Sequence, residues 1–146
     1  MFRNILVPTD GSALARKGIK KAVALAKKTG AKVTGFHVAP SYKFIYSDYV
    51  PRDFITPKDY AAHAKKLSAR YLEAVKKACK TAGVRCATDF ACSDFTADAI
   101  VSAARKHKCD LIAMASHGRS GLTKLLLGSE TQKVLANTKI AVLVLR

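Results

Sequence analysis

The stretch DLIAMASHGRSGLTKLLLGSETQKVLA, residues 110–136, carries the clearest indication of the fold. Its first part, 110–116, is a continuous apolar run of the kind that forms a parallel strand covered on both faces. Its last part opens a segment, 129–137, with the residue pattern of a helix. Between them, 115–129 contains three glycines together with hydroxyls and cations. Such a loop is suited to holding a phosphate at the end of a core strand, and equally suited to forming plain surface turns.

Outward from this unit, the chain alternates strand-like and helix-like segments. Further strands are predicted at 4–9, 32–39, 83–91 and 140–146. Further helices are predicted at 13–29, 57–82 and 96–107, with Ser12 and Thr56 as N-caps and Gly30 as a C-terminal glycine. Neither repeats nor linkers interrupt the alternation. It predicts one α/β domain over residues 1–146, Rossmann-like, with a five-stranded parallel sheet in the order 3-2-1-4-5 and helices on both faces.

The segment PSYKFIYSDYVPRDFITP, residues 40–57, is too long for an ordinary connection. Three roles fit its aromatic residues: a lid over a ligand, contact with a partner subunit, or packing of the loop onto its own domain. The residues alone do not choose between these roles.

The composition indicates a globular protein. The 146 residues are long enough for one domain with a core, and 49% are hydrophobic while 25% are charged. No apolar run approaches the length of a membrane span, and the first residues lack the pattern of a signal peptide, so we expect a cytoplasmic protein with no membrane partner. The four cysteines lack metal-ligand spacing and are interpreted as small core or near-surface hydrophobic residues, not as disulfide or zinc-site residues.

The net charge of +16 is the most unusual bulk property. Many of the cations lie on two predicted helices, where we interpret them as solvent-exposed helix faces. They are Arg16, Lys17, Lys20, Lys21, Lys27, Lys28, Lys65, Lys66, Arg70, Lys76, Lys77 and Lys80. They are not interleaved with aromatic residues that could stack on bases, and no nucleic-acid motif occurs. Binding to nucleic acid or another polyanion is therefore expected to be weak and nonspecific at most.

In a doubly wound sheet, ligands bind outside the carboxyl ends of the strands, where the strand order reverses. The segments predicted to meet there are 8–10, 38–39, 114–118 and 128–129. The last of these lies at a helix N-terminus, where free amide groups and the helix dipole favour a phosphate. The chain contains no G-x-x-x-x-G-K-[S/T] motif, which excludes a P-loop NTPase. It also contains no G-x-G-x-x-G after the first strand.

Four segments together resemble the universal stress protein family from end to end. They are NILVPTDGS (4–12), FHVAP (36–40), DLIAMASHGRSGLTKLLLGSETQKVL (110–135) and AVLVLR (141–146). Nucleotide-binding members of that family carry a glycine, two residues, a second glycine, nine residues, and a third glycine followed by serine or threonine. Gly118, Gly128 and Ser129 match this pattern, whereas Ala115 occupies the position of the first glycine.

The resemblance implies binding of ATP or another adenine nucleotide, with any Mg²⁺ held by the phosphates and not by side chains. Asp10 would contact the ribose hydroxyls, Pro8 and Thr9 would flank the adenine, and Val38 would offer backbone hydrogen bonds to its edge. The residues implied to line the ribose and phosphates are Met114, Ala115, Ser116, His117, Gly118 and Arg119. The residues implied to bind the phosphates are Gly128, Ser129, Glu130 and Thr131, of which Glu130 contributes only its amide.

Several alternatives stay open for single residues. Asp10 is also a candidate for capping the first helix together with Ser12, and His117 for ordering its own loop. His37 is interpreted as a hydrogen-bonded histidine at the end of the sheet, without a ligand role.

The resemblance further implies a homodimer in which the last strand, 140–145, pairs antiparallel with its twin, and a role in the stress response. Leaving so apolar an edge strand unpaired would be an aggregation hazard. The residues show no nucleophile beside a general base and no second carboxylate to hold a metal with Asp10, so no catalytic residues are assigned, and slow ATP hydrolysis is only what the resemblance allows. Two alternatives remain: a member that binds no nucleotide and acts as an interaction or dimerisation module, which Ala115 favours, and a protein associated with polyanions.

Overall fold

A computed structural model of the chain describes residues 1–45, 56–118 and 127–146. Five strands form one parallel sheet in the order β3-β2-β1-β4-β5, as predicted. The elements in chain order are β1 Asn4–Pro8, α1 Ala13–Thr29, β2 Lys32–Ala39, α2 Tyr42–Ile45, α3 Pro57–Ala82, β3 Cys86–Cys92, α4 Thr96–Lys106, β4 Leu111–Ala115, α5 Ser129–Asn137 and β5 Ala141–Leu145.

Helices cover both faces of this sheet, which explains why the central strands are continuously apolar. On one face, Ile5 and Val7 of β1 pack into the layer formed with α1 and α3. On the other face, Leu6 packs into the layer formed with α4 and α5. The same alternation in β4 sends Ala113 to the first layer and Met114 to the second. Successive residues along β1 and β4 therefore pack alternately into the two apolar layers.

The predicted helix ends are confirmed. The hydroxyl of Ser12 accepts the backbone N–H of Ala15 at 3.1 Å, and α1 ends at Gly30 in the left-handed conformation, φ 72°. At α3, Thr56 and Asp59 form a reciprocal capping box, and Pro57 is the first helical residue.

Several element ends differ from the prediction by one residue, and two segments differ more. The third strand starts at Cys86 instead of residue 83, because the backbone N–H of Gly83 closes α3 on the Cys79 and Lys80 carbonyls. The segment 40–57 contains the short helix α2, and the ring of Tyr42 packs 5.7 Å from that of Tyr60. This contact supports packing onto the domain for Tyr42, whereas Tyr46, Tyr49 and Phe54 lie outside the described residues.

The lysines and arginines of the two cationic helices are solvent-exposed, as expected, but the helices themselves are neighbours. Both α1 and α3 lie on the same face of the sheet and pack against each other. Their cations are therefore gathered on one side of the molecule. Among the described helices, none has both the length and the apolar character needed to cross a lipid bilayer.

All four cysteines are free thiols. Cys79 and Cys109 are buried and serve as the small core residues that were expected. Cys86 and Cys92 are exposed at the two ends of β3.

Candidate functional site

A cleft of about 130 Å³ opens at the carboxyl ends of β1, β2 and β4, below the N-termini of α4 and α5. It lies at the predicted place, where the strand order reverses. The side chains and backbone that line it belong to Pro8, Thr9, Asp10, Ala15, Phe36, His37, Val38, Thr96, Ile100, Met114, Ala115, His117, Gly118, Glu130 and Thr131. The sequence-predicted residues Ser116, Gly128 and Ser129 border this lining through the loop ends described below. Arg119 lies outside the described residues.

The floor of the cleft is apolar. Met114 and Phe36 are buried there, and Ile100 of α4 and Val38 pack into the same layer. The sequence analysis did not single out Phe36, Ile100 or Thr96. The signal that could have found the α4 residues is the parallel topology itself, which brings the N-terminus of every crossover helix to this edge.

Val38 presents a free backbone edge to the cleft. The carbonyl of Phe36 points toward β1 and accepts the N–H of Thr9 at 2.9 Å. In a parallel strand, alternate residues point their backbone groups to the same neighbour, so the N–H and C=O of Val38 also point toward β1. Because β1 makes its last pairing at Pro8 with Phe36, none of the described strands lies opposite Val38 on this side. This donor–acceptor pair is the arrangement needed to hydrogen-bond the edge of a flat heterocycle.

Asp10 lies at the turn between β1 and α1. Its Oδ1 accepts the backbone N–H of Ser12 at 2.9 Å, so it does help to shape the entry to α1. Its Oδ2 faces Gly118: a β-carbon placed on Gly118 would lie 3.1 Å from that oxygen. The absence of a side chain at 118 therefore lets the acidic turn and the loop after β4 meet.

The two ends of the loop between β4 and α5 are joined directly. The backbone N–H of Gly128 donates to the carbonyl oxygen of Ser116 at 2.8 Å. A β-carbon on Gly128 would lie 3.2 Å from that oxygen and 3.3 Å from the α-carbon of His117. Gly128 is thus required for a close backbone approach within the protein, in addition to any approach of a ligand.

The first turn of α5 has no side-chain cap, because its N-cap residue is Gly128. The amide groups at the start of a helix have no partner within that helix. By contrast, α1 is capped by the hydroxyl of Ser12. The N-terminus of α5 therefore combines amide donors with the positive end of the helix dipole at the border of the cleft.

The hydroxyl of Thr131 is used within the protein. Thr131 is 3% exposed, and its hydroxyl donates to the carbonyl oxygens of Ala115 at 3.2 Å and Ser116 at 3.4 Å. These bonds hold α5 to the end of β4. Of the groups that the resemblance assigns to Thr131, only the backbone amide is available.

The carboxylate of Glu130 also has a structural partner. Its Oε2 accepts the backbone N–H of Ala97 at 3.0 Å, and its Oε1 accepts a bond from Lys133 at 3.2 Å. Phe95, the N-cap of α4, makes no side-chain cap, so Glu130 supplies that cap from α5. The negative charge is thereby held against α4, in agreement with the expectation that Glu130 offers a ligand only its amide.

Ser116 and His117 are hydrogen-bonded to each other. The Oγ of Ser116 lies 2.8 Å from Nδ1 of His117, and Ser116 is 2% exposed. The other ring nitrogen of His117, Nε2, is buried and has no hydrogen-bond partner in the described parts of the chain. His117 lines the cleft, so this nitrogen is available to a bound group.

Ala115, which stands where the family pattern has glycine, has ordinary extended geometry as the last residue of β4. Its methyl group points toward α1 and would lie 3.9 Å from a β-carbon on Gly18. The methyl group therefore occupies space beside Gly18, on the face opposite the cleft floor formed by Met114.

His37 is hydrogen-bonded at the end of the sheet, as interpreted from the sequence, and it also lines the cleft. It is 6% exposed, its Nδ1 donates to the carbonyl oxygen of Thr9 at 2.7 Å, and its ring stands edge-on to Tyr71 at 4.9 Å. Tyr71 also lies under Gly11, where a β-carbon would come within 2.5 Å of its ring. This packing fixes the turn that carries Asp10.

A side-chain metal centre is not found in the described portion of the chain, where no three His, Cys, Asp or Glu side chains are grouped to hold a cation.

Comparison with known proteins places this fold and site in context. The universal stress protein family model matches residues 1–146. A universal stress protein of Methanocaldococcus jannaschii is 32% identical over 149 residues, covering 100% of this chain and 83% of the relative. The universal stress protein YxiE of Bacillus subtilis is 32% identical over 151 residues, covering 100% of both chains.

Solved structures share the fold. A hypothetical protein whose biochemical function was assigned from its structure superposes with a TM-score of 0.82 at 26% identity, covering 99% of this chain and 96% of that one. A universal stress protein in complex with cAMP superposes with a TM-score of 0.72 at 21% identity, covering 99% of this chain and 97% of that one. The Archaeoglobus fulgidus universal stress protein in complex with dAMP superposes with a TM-score of 0.66 at 18% identity, covering 99% of this chain and 98% of that one. By its sequence over all 146 residues, the chain belongs to the universal stress protein family.

Proposed function

We propose that the chain binds an adenine nucleotide, and specifically ATP with Mg²⁺ on its phosphates, in the cleft at the carboxyl ends of β1, β2 and β4. One observation carries the proposal: a free strand edge at Val38, the carboxylate of Asp10 and the uncapped first turn of α5 converge on the same cleft. These groups correspond in chemistry and in order to a base, a ribose and a chain of phosphates.

The apolar floor suits the base, with the backbone of Val38 reading its edge. Asp10 has the acceptor oxygens that ribose hydroxyls require, and the amides of Ser129 and Glu130 suit phosphate oxygens. The N–H of Gly128 is already donated to Ser116, so Gly128 serves the site by allowing a close backbone approach. The volume of about 130 Å³ is below the 300–1,000 Å³ typical of pockets that enclose a whole ligand. The cleft therefore encloses only part of a nucleotide, and the phosphates extend along the N-terminus of α5.

The relatives support the class of ligand. Universal stress proteins with the same fold have been solved with cAMP and with dAMP. Both molecules carry an adenine, a sugar and one phosphate, which are the parts that the cleft matches. Our proposal that the ligand is ATP goes beyond these two complexes.

Isothermal titration with Mg-ATP tests the proposal. Asp10→Ala removes the ribose acceptor, and we expect affinity to fall at least about tenfold, since hydrogen bonds to a charged group contribute about 1.5–3 kcal/mol. Glu73→Ala is the matched control, because Glu73 is an exposed carboxylate on α3 and its loss changes the net charge equally. Equal affinity of the two variants would contradict the site assignment.

We propose further that the protein acts in the cytoplasm, in the stress response, as a homodimer joined through residues 140–145. The edge position of β5 supports the dimer, since among the described strands β5 pairs with β4 alone. The carbonyl of Leu145 points toward β4 and accepts the N–H of Ser116 at 2.9 Å. The alternating residues Val142 and Val144 therefore point their backbone groups outward, where a second copy can pair.

Val144→Pro tests the dimer, because proline removes an outward N–H while sparing the groups that bond β4. We expect a monomer by light scattering, and a dimer for the control Val144→Ala. A Val144→Pro protein that is still dimeric would place the interface elsewhere.

A second candidate function is association with polyanions, and the arrangement of α1 and α3 favours it. These adjacent helices carry thirteen lysines and arginines against two carboxylates, Asp59 and Glu73. Retention on heparin that falls steeply with salt, and that is unchanged in Asp10→Ala, would identify this surface as a separate binding face. Elution of the protein from heparin at low salt would show that the cations of the two helices are only solvated and bind no polyanion.

A further inference from the structure

Two of the four cysteines lie side by side, remote from the cleft. Cys79 is near the end of α3 and Cys86 opens β3, with six residues between them. Cys86 is the register partner of Val33, so both side chains point to the same face of the sheet. Val33 packs in the layer that contains Cys79. Both thiols therefore face the layer between α3 and the sheet, and each one shifts the pKa of the other.

The two thiols differ in accessibility and in acidity. Cys86 is exposed, whereas Cys79 is 0% exposed. A hydrogen bond from Cys79 and the charge of Lys76 lower the pKa of the Cys86 thiol, although partial burial acts in the opposite direction. The same hydrogen bond, together with burial, raises the pKa of Cys79 strongly. Cys86 is thus the more accessible and the more acidic of the two thiols, and its neighbour is a buried proton donor, which is the environment of a reactive cysteine.

We propose that Cys79 and Cys86 form a redox-active thiol pair that hydroperoxides convert to an intrachain disulfide. Cys86 is the sulfur that attacks the peroxide, and Cys79 is the sulfur that resolves the product.

In the first step, the Cys86 thiolate attacks one peroxide oxygen, an S–O bond forms and the O–O bond breaks. The Cys86 sulfur is oxidised by two electrons to a sulfenic acid, and the peroxide is reduced to water or an alcohol once the leaving oxygen takes a proton. In the second step, the Cys79 sulfur attacks the Cys86 sulfur, the S–S bond forms and the S–O bond breaks. The Cys79 proton leaves with the departing hydroxide as a second water.

The first step prepares the second. While Cys86 is a thiolate, it holds the proton of Cys79 through the hydrogen bond and through its charge, both of which raise the pKa of Cys79. Oxidation of Cys86 removes that negative charge, and only burial then opposes ionisation of Cys79. The buried thiol is therefore released to react only after its neighbour has been oxidised.

The pair is independent of the proposed nucleotide site. Cys86 starts β3, at the amino edge of the sheet, whereas the cleft lies at the carboxyl edge. A disulfide would tie the edge strand β3 to α3 without touching a cleft residue. Nucleotide affinity is accordingly expected to be the same in the reduced and oxidised protein.

Peroxide treatment of the full chain, followed by alkylation, trypsin digestion and mass spectrometry, tests the proposal. Cys92 is an internal control, because it is also exposed but burial raises the pKa of its thiol. Trypsin leaves Cys79 in the peptide 78–80 and places Cys86 and Cys92 together in 86–105. Linkage of these two peptides, lost in Cys86→Ser and kept in Cys92→Ser, is the expected result.

Two further readouts separate the steps. Before any peroxide, Cys86 is expected to react with iodoacetamide at least about tenfold faster than Cys92, as a lowered thiol pKa predicts. In Cys79→Ala, Cys86 is expected to accumulate as a sulfenic acid that dimedone traps. Equal alkylation rates, or oxidation of Cys86 without linkage to Cys79 in the unmutated chain, would overturn the proposal.

Discussion

The Oδ2 oxygen of Asp10 lies 3.1 Å from the position that a β-carbon on Gly118 would occupy. The acidic turn after β1 and the glycine loop after β4, which are more than a hundred residues apart in the sequence, are thus in direct contact. The shape of the cleft depends on this contact, because it sets the distance between the Asp10 carboxylate and the loop that leads to α5.

Replacing Gly118 by alanine should therefore affect binding more than folding. The added methyl group pushes the Asp10 carboxylate by a few tenths of an ångström. We expect Mg-ATP affinity to fall about tenfold, the equivalent of about 1.4 kcal/mol, with an unchanged circular dichroism spectrum. Titration calorimetry measures the affinity, and unchanged binding would show that Asp10 does not need its present position.

Replacing Gly128 by alanine should affect the fold itself. A β-carbon there would crowd the backbone of Ser116 and His117, which cannot move like a flexible side chain. We expect the free energy of unfolding to fall by about 1–3 kcal/mol, as for other overpacked sites, when measured by urea denaturation.

Gly18→Ala is the matched control for this prediction. A β-carbon on Gly18 would have its nearest neighbours at 3.8 Å or more, which is ordinary contact, and alanine is the better helix former. If Gly18→Ala destabilises the chain as much as Gly128→Ala, the close approach at Gly128 is not the cause.

Ala115→Gly tests whether the departure from the family pattern impairs the site. The methyl group faces α1 and not the cleft floor. We therefore expect the affinity for Mg-ATP to be unchanged within a factor of about two, which corresponds to the roughly 0.3–0.5 kcal/mol within which independent sites do not affect each other. Stability should fall by roughly 0.5–1 kcal/mol, since glycine is unfavourable within a strand. A marked gain in affinity would show instead that the methyl group crowds the nucleotide.

Asp110 should make the stability of the domain depend on acid pH. Its carboxylate accepts the backbone N–H groups of Arg3 at 2.9 Å and Asn4 at 3.0 Å. Burial acts to raise the pKa of Asp110, but these bonds outweigh it and lower the pKa below the ordinary value. A lowered folded pKa means that the stabilisation is present above the ordinary carboxyl pKa, about 3.9, and is lost as the pH falls through the folded value.

Asp110→Asn should accordingly lower the free energy of unfolding by about 1 kcal/mol at neutral pH. The difference from the unmutated chain should shrink as the pH falls below about 4. Urea denaturation at several pH values gives the comparison. A difference that stays constant into the acid range would assign the loss to packing and not to the charge.

Local patterns in the sequence predicted most of the fold. The caps at Ser12 and Thr56 and the end of α1 at Gly30 depend on neighbouring residues, so a short stretch of sequence contains the whole cause. The doubly wound parallel sheet followed from the alternation of elements and the handedness of their crossovers.

The inner workings of the site could not be predicted because their causes are non-local. Glu130 caps α4 through Ala97, and Thr131 bonds the end of β4, only because packing brings those backbone groups together. The pattern around Gly128 indicated a ligand contact, whereas the nearest cause is the backbone of Ser116. The adjacency of Cys79 and Cys86 likewise depends on the register of β3 with β2.

Native mass spectrometry of the freshly purified protein, with and without added Mg-ATP, tests the central claim most directly. We expect a dimer that carries one adenine nucleotide for each chain, and loss of the nucleotide but not of the dimer in Asp10→Ala. A dimer that stays empty at millimolar Mg-ATP would contradict the account and identify the protein as an interaction module of its family.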